Sequence, residues 1–342
     1  MPFRDECCSP AREVAQGRRE RRPRDAQPIA WLPLSPRRPR YFRGARPRPM
    51  FQNRRAGSSL TENDAAQHRE SVTADEYSFT AFSEHAFFRE VNAWLVEHAQ
   101  LERGWRVVDV GCGSGLVTEL ILERVRGARD ALVVALDVST GALSHVRERF
   151  AAASGVVLEF VQARAEEMST LVRHAMDAVV FCNGIHYIAD KRHVLREIRE
   201  TLRPGGTFAF NTSFFEGAQL PETLAFYRRW MLRALRTLKT RYNLTPDRTR
   251  VTARRQLTPA EYRAALEAEQ FEVRVDELLT VTLDEQGWVD ISRFADFVEG
   301  ALPGIPIARA SEVLCDAVRE TFAELRLDGV PRNWLSVVAT RA

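Results

Sequence analysis

No stretch of this 342-residue chain approaches the ~18–20 consecutive apolar residues that a membrane-spanning helix requires. An integral membrane protein is therefore not expected. The Arg-rich start lacks the apolar core of a secretory signal, which makes a cytoplasmic location the expectation. Cysteine is scarce as well. Cys7, Cys8, Cys112, Cys182 and Cys315 form no CxxC pair and no cluster with histidine at zinc spacing, so free thiols and no metal are expected. No internal repeat is present. With 45% hydrophobic and 28% charged residues, the composition suits a globular chain and excludes a wholly disordered one.

The net charge is only +3, but it is unevenly spread: residues 1–55 hold fifteen arginines against five acidic residues, which leaves the remainder net acidic. This leader is rich in proline and has no amphipathic period, so residues 1–60 are expected to be disordered. They read either as a tail for nucleic acid or an acidic membrane, or as a dispensable extension with Met50 as the alternative start. An acidic body lacks the basic face that phosphate contacts require, and nucleic acid is not an expected partner.

From residue 79 onward the pattern is orderly. Phe79 to Gln100 carries apolar residues at helical spacing. Short apolar runs then alternate with helical segments: Trp105–Val110, Ala131–Asp137, Val156–Val161, Asp177–Cys182 and Thr207–Asn211 read as five strands. Such alternation implies βαβ units and a doubly wound, mostly parallel α/β sheet. A long helix from Pro221 to Thr240 follows. Thr258-Pro259-Ala260-Glu261 supplies a capping residue, a first-turn proline and an acceptor three residues on, which is a helix start. Phe271–Leu283 reads as a sixth strand, two further helices follow around Trp288–Glu299 and Ile307–Leu327, and Trp334–Thr340 reads as a seventh strand. The expected organisation is a leader (1–60), an N-terminal helical cover (61–104), a core (105–213), a helical lid (214–256) and the rest of the core (257–342) with a second insertion (284–333).

Asp109-Val110-Gly111-Cys112-Gly113-Ser114-Gly115 lies between a strand and a helix, where glycines let the backbone turn sharply and approach a ligand closely. Leu116 replaces the third glycine of the dinucleotide fingerprint. The pattern D-x-G-x-G-x-G resembles instead motif I of class I S-adenosylmethionine-dependent methyltransferases. Leu202-Arg203-Pro204-Gly205-Gly206-Thr207-Phe208 resembles the turn that this family places before its fifth strand. The resemblance spans roughly residues 77–215. It implies a Rossmann-like seven-stranded sheet with helical insertions after strands five and six, and S-adenosylmethionine as cofactor. Carried over by position, it implies that Asp109, Gly111, Gly113 and Gly115 cradle the methionine part and that Asp137 holds the ribose. Val138, Ala165 and Glu166 would flank the adenine, with Asn183 and Gly184 near the sulfonium. Arg164 stands where many relatives have an aspartate that binds the adenine amine; Glu166 or a backbone carbonyl would have to take that part.

Methyl transfer from a sulfonium leaves a neutral thioether, so positioning is the main lever and a base is needed only for a protonated acceptor. His186 follows strand four at the sheet edge where α/β ligands bind, and an imidazole with an ordinary pKa of ~6.5 accepts a proton near neutrality. Tyr187 is the next candidate; both residues could equally serve as walls of the site. Aromatic and apolar residues in the covers, Phe82, Phe214, Tyr227, Trp230, Met231 and Trp288, would suit a hydrophobic or amphipathic small molecule. Arg228, Arg229, Arg233 and Arg236 on the lid would either grip an acidic head group or form a solvated face. The expected activity is methylation of oxygen or carbon on a fatty-acid, isoprenoid or polyketide-like metabolite. A protein or peptide methyltransferase and a noncatalytic S-adenosylmethionine-binding module are the alternatives.

Overall fold

Residues that are apolar on two successive positions can bury both faces of a strand, and this chain repeats that pattern in every central strand. The computed structural model describes residues 78–128, 130–172, 175–247 and 255–342, all within the unit Tyr41–Ala342. The basic leader lies outside the described residues. A single helical turn, Thr80–Ser83, leads into α1 (Ala86–His98), β1 (Arg106–Val110), α2 (Leu116–Val125), β2 (Leu132–Asp137), α3 (Thr140–Arg149) and β3 (Val157–Gln162). After β4 (Met176–Cys182) come α4 (Lys191–Thr201) and β5 (Leu202–Thr212). The chain continues through α5 (Leu224–Tyr242), α6 (Pro259–Ala268), β6 (Phe271–Leu283), α7 (Glu285–Ile291), α8 (Ala295–Ala301), α9 (Ile307–Leu325) and β7 (Val330–Arg341).

The seven strands form one sheet in the order β3-β2-β1-β4-β5-β7-β6. β1 to β5 pair in parallel, whereas β7 runs antiparallel to both β5 and β6. β6 therefore shares the direction of the parallel strands, and the segments leaving β5 and β6 emerge at the same edge. Neighbouring residues separate to opposite faces. Val107, Val133, Ala178, Ala209 and Val338 pack with Leu95 and Val96 of α1 and Ile121 of α2. Val108, Val134, Val179, Phe208 and Val337 pack on the other face with Ile198 of α4 and Leu266 of α6. Thr258 and Glu261 cap α6 reciprocally, at 2.9 and 3.1 Å.

A separate apolar cluster joins the covers. Phe82 and Phe88 meet Phe226 and Trp230 of α5, Trp288 of α7, Leu314 and Phe322 of α9, and Trp334 of β7. The Trp230 indole donates to the Leu314 carbonyl at 3.0 Å, which ties the insertion after β5 to the one after β6. Among the described residues, no helix is long and apolar enough to cross a membrane.

Candidate functional site

The strand order reverses between β1 and β4, which directs the segments after these strands apart and opens a crevice at their carboxyl ends. On one side of that crevice is the glycine turn. Gly111, Gly113 and Gly115 all adopt positive φ, at 68°, 49° and 81°, a region that side chains rarely enter. The Gly111 amide donates to the Leu136 carbonyl at 2.7 Å, which fixes the turn to the neighbouring strand. A Cβ on Gly113 would meet only the Gly111 carbonyl oxygen, at 3.8 Å, so the turn keeps an open face. Asp109 lies beneath it with 1% of its surface exposed, and its carboxylate accepts from the Thr118 hydroxyl at 2.6 Å. Burial pushes its pKa up to about 7; the Thr118 hydrogen bond opposes that shift and the charge of Asp137 adds to it.

Asp137 ends β2 and is brought to the turn directly: one carboxylate oxygen accepts from Gly113 N at 3.0 Å, the other from Ser139 N at 2.8 Å. A carboxylate has about four acceptor positions, so two amide bonds leave capacity for a pair of hydroxyls. Val138, next to it, is 60% exposed, an apolar surface available to a flat ring. Ala165 is buried beyond β3, while Glu166 is ion-paired to Arg164 at 3.3 Å. The side chain at the family's adenine-amine position is thus engaged with its neighbour. The open glycine turn, the Asp137 carboxylate with acceptor positions to spare and the exposed Val138 beside it fit an adenosyl sulfonium.

Across the crevice, Asn183 adopts φ 50°, held by its amide N–H to Asn211 and by its side-chain oxygen, which accepts from Ser213 N and Oγ. Gly184 follows for a steric reason: a Cβ there would stand 2.1 Å from the Phe181 ring. His186 is 8% exposed, with Nδ1 3.0 Å from the Thr212 hydroxyl at the end of β5. Its ring stacks obliquely between Tyr187 (4.1 Å) and Phe214 (4.5 Å). Thr212 Oγ1 also accepts from Phe214 N at 3.0 Å, so one hydroxyl orients both the imidazole and the following ring.

The sequence-derived substrate residues separate into two groups. Phe214 stands at the crevice beside His186. Trp230 and Trp288 are 2% and 1% exposed within the cover cluster, with Met231 and Tyr227 packed against it and Phe82 in its N-terminal part. The lid arginines do not turn toward this cluster: Arg229 and Arg233 pair with Glu320 and Glu324 of α9, while Arg228 and Arg236 are exposed. Four contributors were not identified from sequence. The hydroxyls of Ser83 and Ser114 hydrogen-bond at 2.8 Å and fasten the first cover turn to the glycine turn. Asn92 of α1 accepts from Asn211 Nδ2 at 2.8 Å. Arg332 of β7 is 7% exposed and lies behind Phe214, its Cζ 5.0 Å from that ring.

This sheet order and glycine turn are similar to those of class I S-adenosylmethionine-dependent methyltransferases. Residues 107–206 match the family model described as a methyltransferase domain. The chain is 32% identical over 120 residues to a ubiquinone biosynthesis O-methyltransferase of Erwinia tasmaniensis, covering 35% of this chain and 46% of that one. It is 29% identical over 119 residues to the enzyme of the same name from Stutzerimonas stutzeri, covering 35% and 48%. The chain thus spans about half the length of the curated relatives it matches. Among solved structures, a putative methyltransferase from Bacillus halodurans is similar with a TM-score of 0.49 at 16% identity, over 74% of this chain and 99% of that one.

Proposed function

We propose that this protein transfers the methyl group of S-adenosylmethionine to oxygen or carbon of a small hydrophobic or amphipathic molecule of fatty-acid, isoprenoid or polyketide type. The observation that carries the proposal is the Asp137 carboxylate hydrogen-bonded to Gly113 of an open glycine turn, across the crevice from His186. When bound there, S-adenosylmethionine supplies an electrophilic methyl on a sulfonium. Asp137 and Val138 hold the nucleoside, the glycines face the aminoacyl part with Asp109 buried beneath them, and Asn183 with Gly184 shape the wall near the sulfur. Because the leaving group is neutral, these residues act by alignment, for which effective molarities of ~10⁵–10⁸ M are attainable.

His186 takes the proton of a hydroxyl or acidic carbon in the tautomer whose Nδ1–H donates to Thr212, which leaves the Nε2 lone pair to act as base. Tyr187 walls the same space. Phe214 at the crevice and the aromatic cluster of α5, α7 and α8 provide an apolar environment for the acceptor's body. The test is incubation with methyl-labelled S-adenosylmethionine and a metabolite extract, read by mass spectrometry. Labelled products with His186→Ala slowed ~10²–10⁴-fold are expected. Absence of any labelled product alongside tight cofactor binding would favour a noncatalytic module.

A further inference from the structure

The cover cluster contains hydrogen-bond donors without acceptors. Arg332 Nε, Tyr227 Oη and Trp288 Nε1 are buried and have no hydrogen-bond partner among the described residues. They are neighbours: the Arg332 guanidinium lies 5.6 Å from the Trp288 ring centroid, and Tyr227 meets that ring edge-on at 5.5 Å. Arg332 donates through Nη2 to the Ser213 carbonyl, but no carboxylate among the described residues pairs with it. A buried cation with no counter-ion is costly, and so is each buried donor without an acceptor. Burial pulls the guanidinium pKa below its usual value and pushes the Tyr227 phenol up, so the phenol keeps its proton near neutrality.

We propose that Arg332, Tyr227 and Trp288 form the receptor for a carboxylate at one end of an otherwise apolar substrate. A carboxylate is acceptor-only and matches the planar guanidinium fork, so it supplies both the missing charge and the missing acceptors. One guanidinium balances one negative charge, which favours a carboxylate over a phosphate dianion. Phe226 and Phe297, stacked against Trp230 at 5.6 and 6.0 Å, make the surroundings of these three residues apolar, in keeping with a hydrocarbon part on the ligand. The Phe214 ring stands between His186 (4.5 Å) and Arg332 (5.0 Å). The carboxylate is therefore an anchor set back from the reacting atoms, and the methyl acceptor lies elsewhere on the same molecule. This inference rests on the methyltransferase reading above and narrows it to amphipathic carboxylic acids.

The test compares decanoate with 1-decanol as probes, following tryptophan fluorescence of the full chain at neutral pH with S-adenosylhomocysteine present. The native protein should bind decanoate at least tenfold more tightly than decanol. Arg332→Met should erase that preference with decanol affinity retained, Arg332→Lys should restore part of it, and Tyr227→Phe should weaken decanoate severalfold. Equal binding of the two probes, binding of neither, or a preference that survives Arg332→Met would overturn the proposal. Should Arg332→Met not fold, as judged by circular dichroism, Tyr227→Phe decides: unchanged decanoate affinity in that variant overturns it. Titration with S-adenosylhomocysteine separates the two levels. Binding of that nucleoside without a carboxylate preference removes only this inference, whereas failure to bind it removes the reading beneath.

Discussion

Asp109 has a carboxyl whose ionisation is set chiefly by enclosure, which holds its pKa at about 7 against an ordinary value of 3.8. The native state therefore keeps this proton over a range where the unfolded chain has lost it. Stability from this group is complete below pH ~4 and declines as pH rises to ~7, by about 4 kcal/mol in total at 1.36 kcal/mol per pKa unit. Asp109→Asn should flatten that decline, as measured by urea unfolding at several pH values between 4 and 7. An unchanged slope would mean that Asp109 is ionised in the native protein. Asp137 differs in its surroundings, since its carboxylate accepts from two backbone amides beside the glycine turn. Asp137→Ala should weaken S-adenosylhomocysteine binding by ~1–3 kcal/mol through lost hydrogen bonds, read by isothermal titration. Equal affinity would displace the ribose from β2. The glycine turn and Asp137 were legible in the sequence because their chemistry is local, with turn glycines and a strand-ending acid set by spacing along the chain. Arg332 was not legible. Pro331 beside it lacks an amide hydrogen and interrupts the apolar run, so the strand appeared to begin at Trp334, whereas it begins at Val330.

At the scale of elements, α1 does more than cover the sheet. Asn92, fully buried, accepts from Asn211 of β5 and donates to Phe88 O, while Asn211 in turn holds the Asn183 backbone. The cover helix thereby sets the position of the segment after β4. Asn92→Leu would leave the Asn211 amide without its acceptor, at a cost of ~1–3 kcal/mol in unfolding free energy. A loss below about 0.5 kcal/mol in urea titrations would show that the network adapts. β1, β2 and β4 could be read from sequence because burial on two faces produces continuous apolar runs. Thirteen-residue β6 was also recognised, though much of it is exposed along the sheet edge. The helices after it were harder to delimit. Trp288–Glu299 read as one helix, yet it is two, α7 and α8, separated near Ser292, whose hydroxyl donates to the Trp288 carbonyl at 2.7 Å. That hydroxyl bonds to the backbone within its own turn, a local competition that periodicity does not register.

For the molecule as a whole, the covers and the sheet share contacts that a bound nucleoside would reinforce: Ser83 with Ser114, and Asn92 with Asn211. A ligand that binds only the folded form at a hundredfold excess over its Kd stabilises that form by about 2.7 kcal/mol. S-adenosylhomocysteine should therefore raise the Tm in thermal unfolding while a nicotinamide dinucleotide leaves it unchanged. The reverse ranking would contradict the assignment of the glycine turn. Salt should matter little to the joining of the two insertions. Arg229 and Arg233 are substantially solvent-accessible, and such surface pairs contribute ~0–1 kcal/mol.

Because β7 runs against its neighbours, it reaches the crevice with its first residues and carries the chain away with its last. Ten residues of extended backbone separate Arg332 from Ala342, about 33 Å at the usual strand rise. Ala342 itself is pinned to Gln270 at the opposite rim. A fusion partner or an immobilising tether joined to Ala342 would hang from the far side and leave the mouth of the crevice clear.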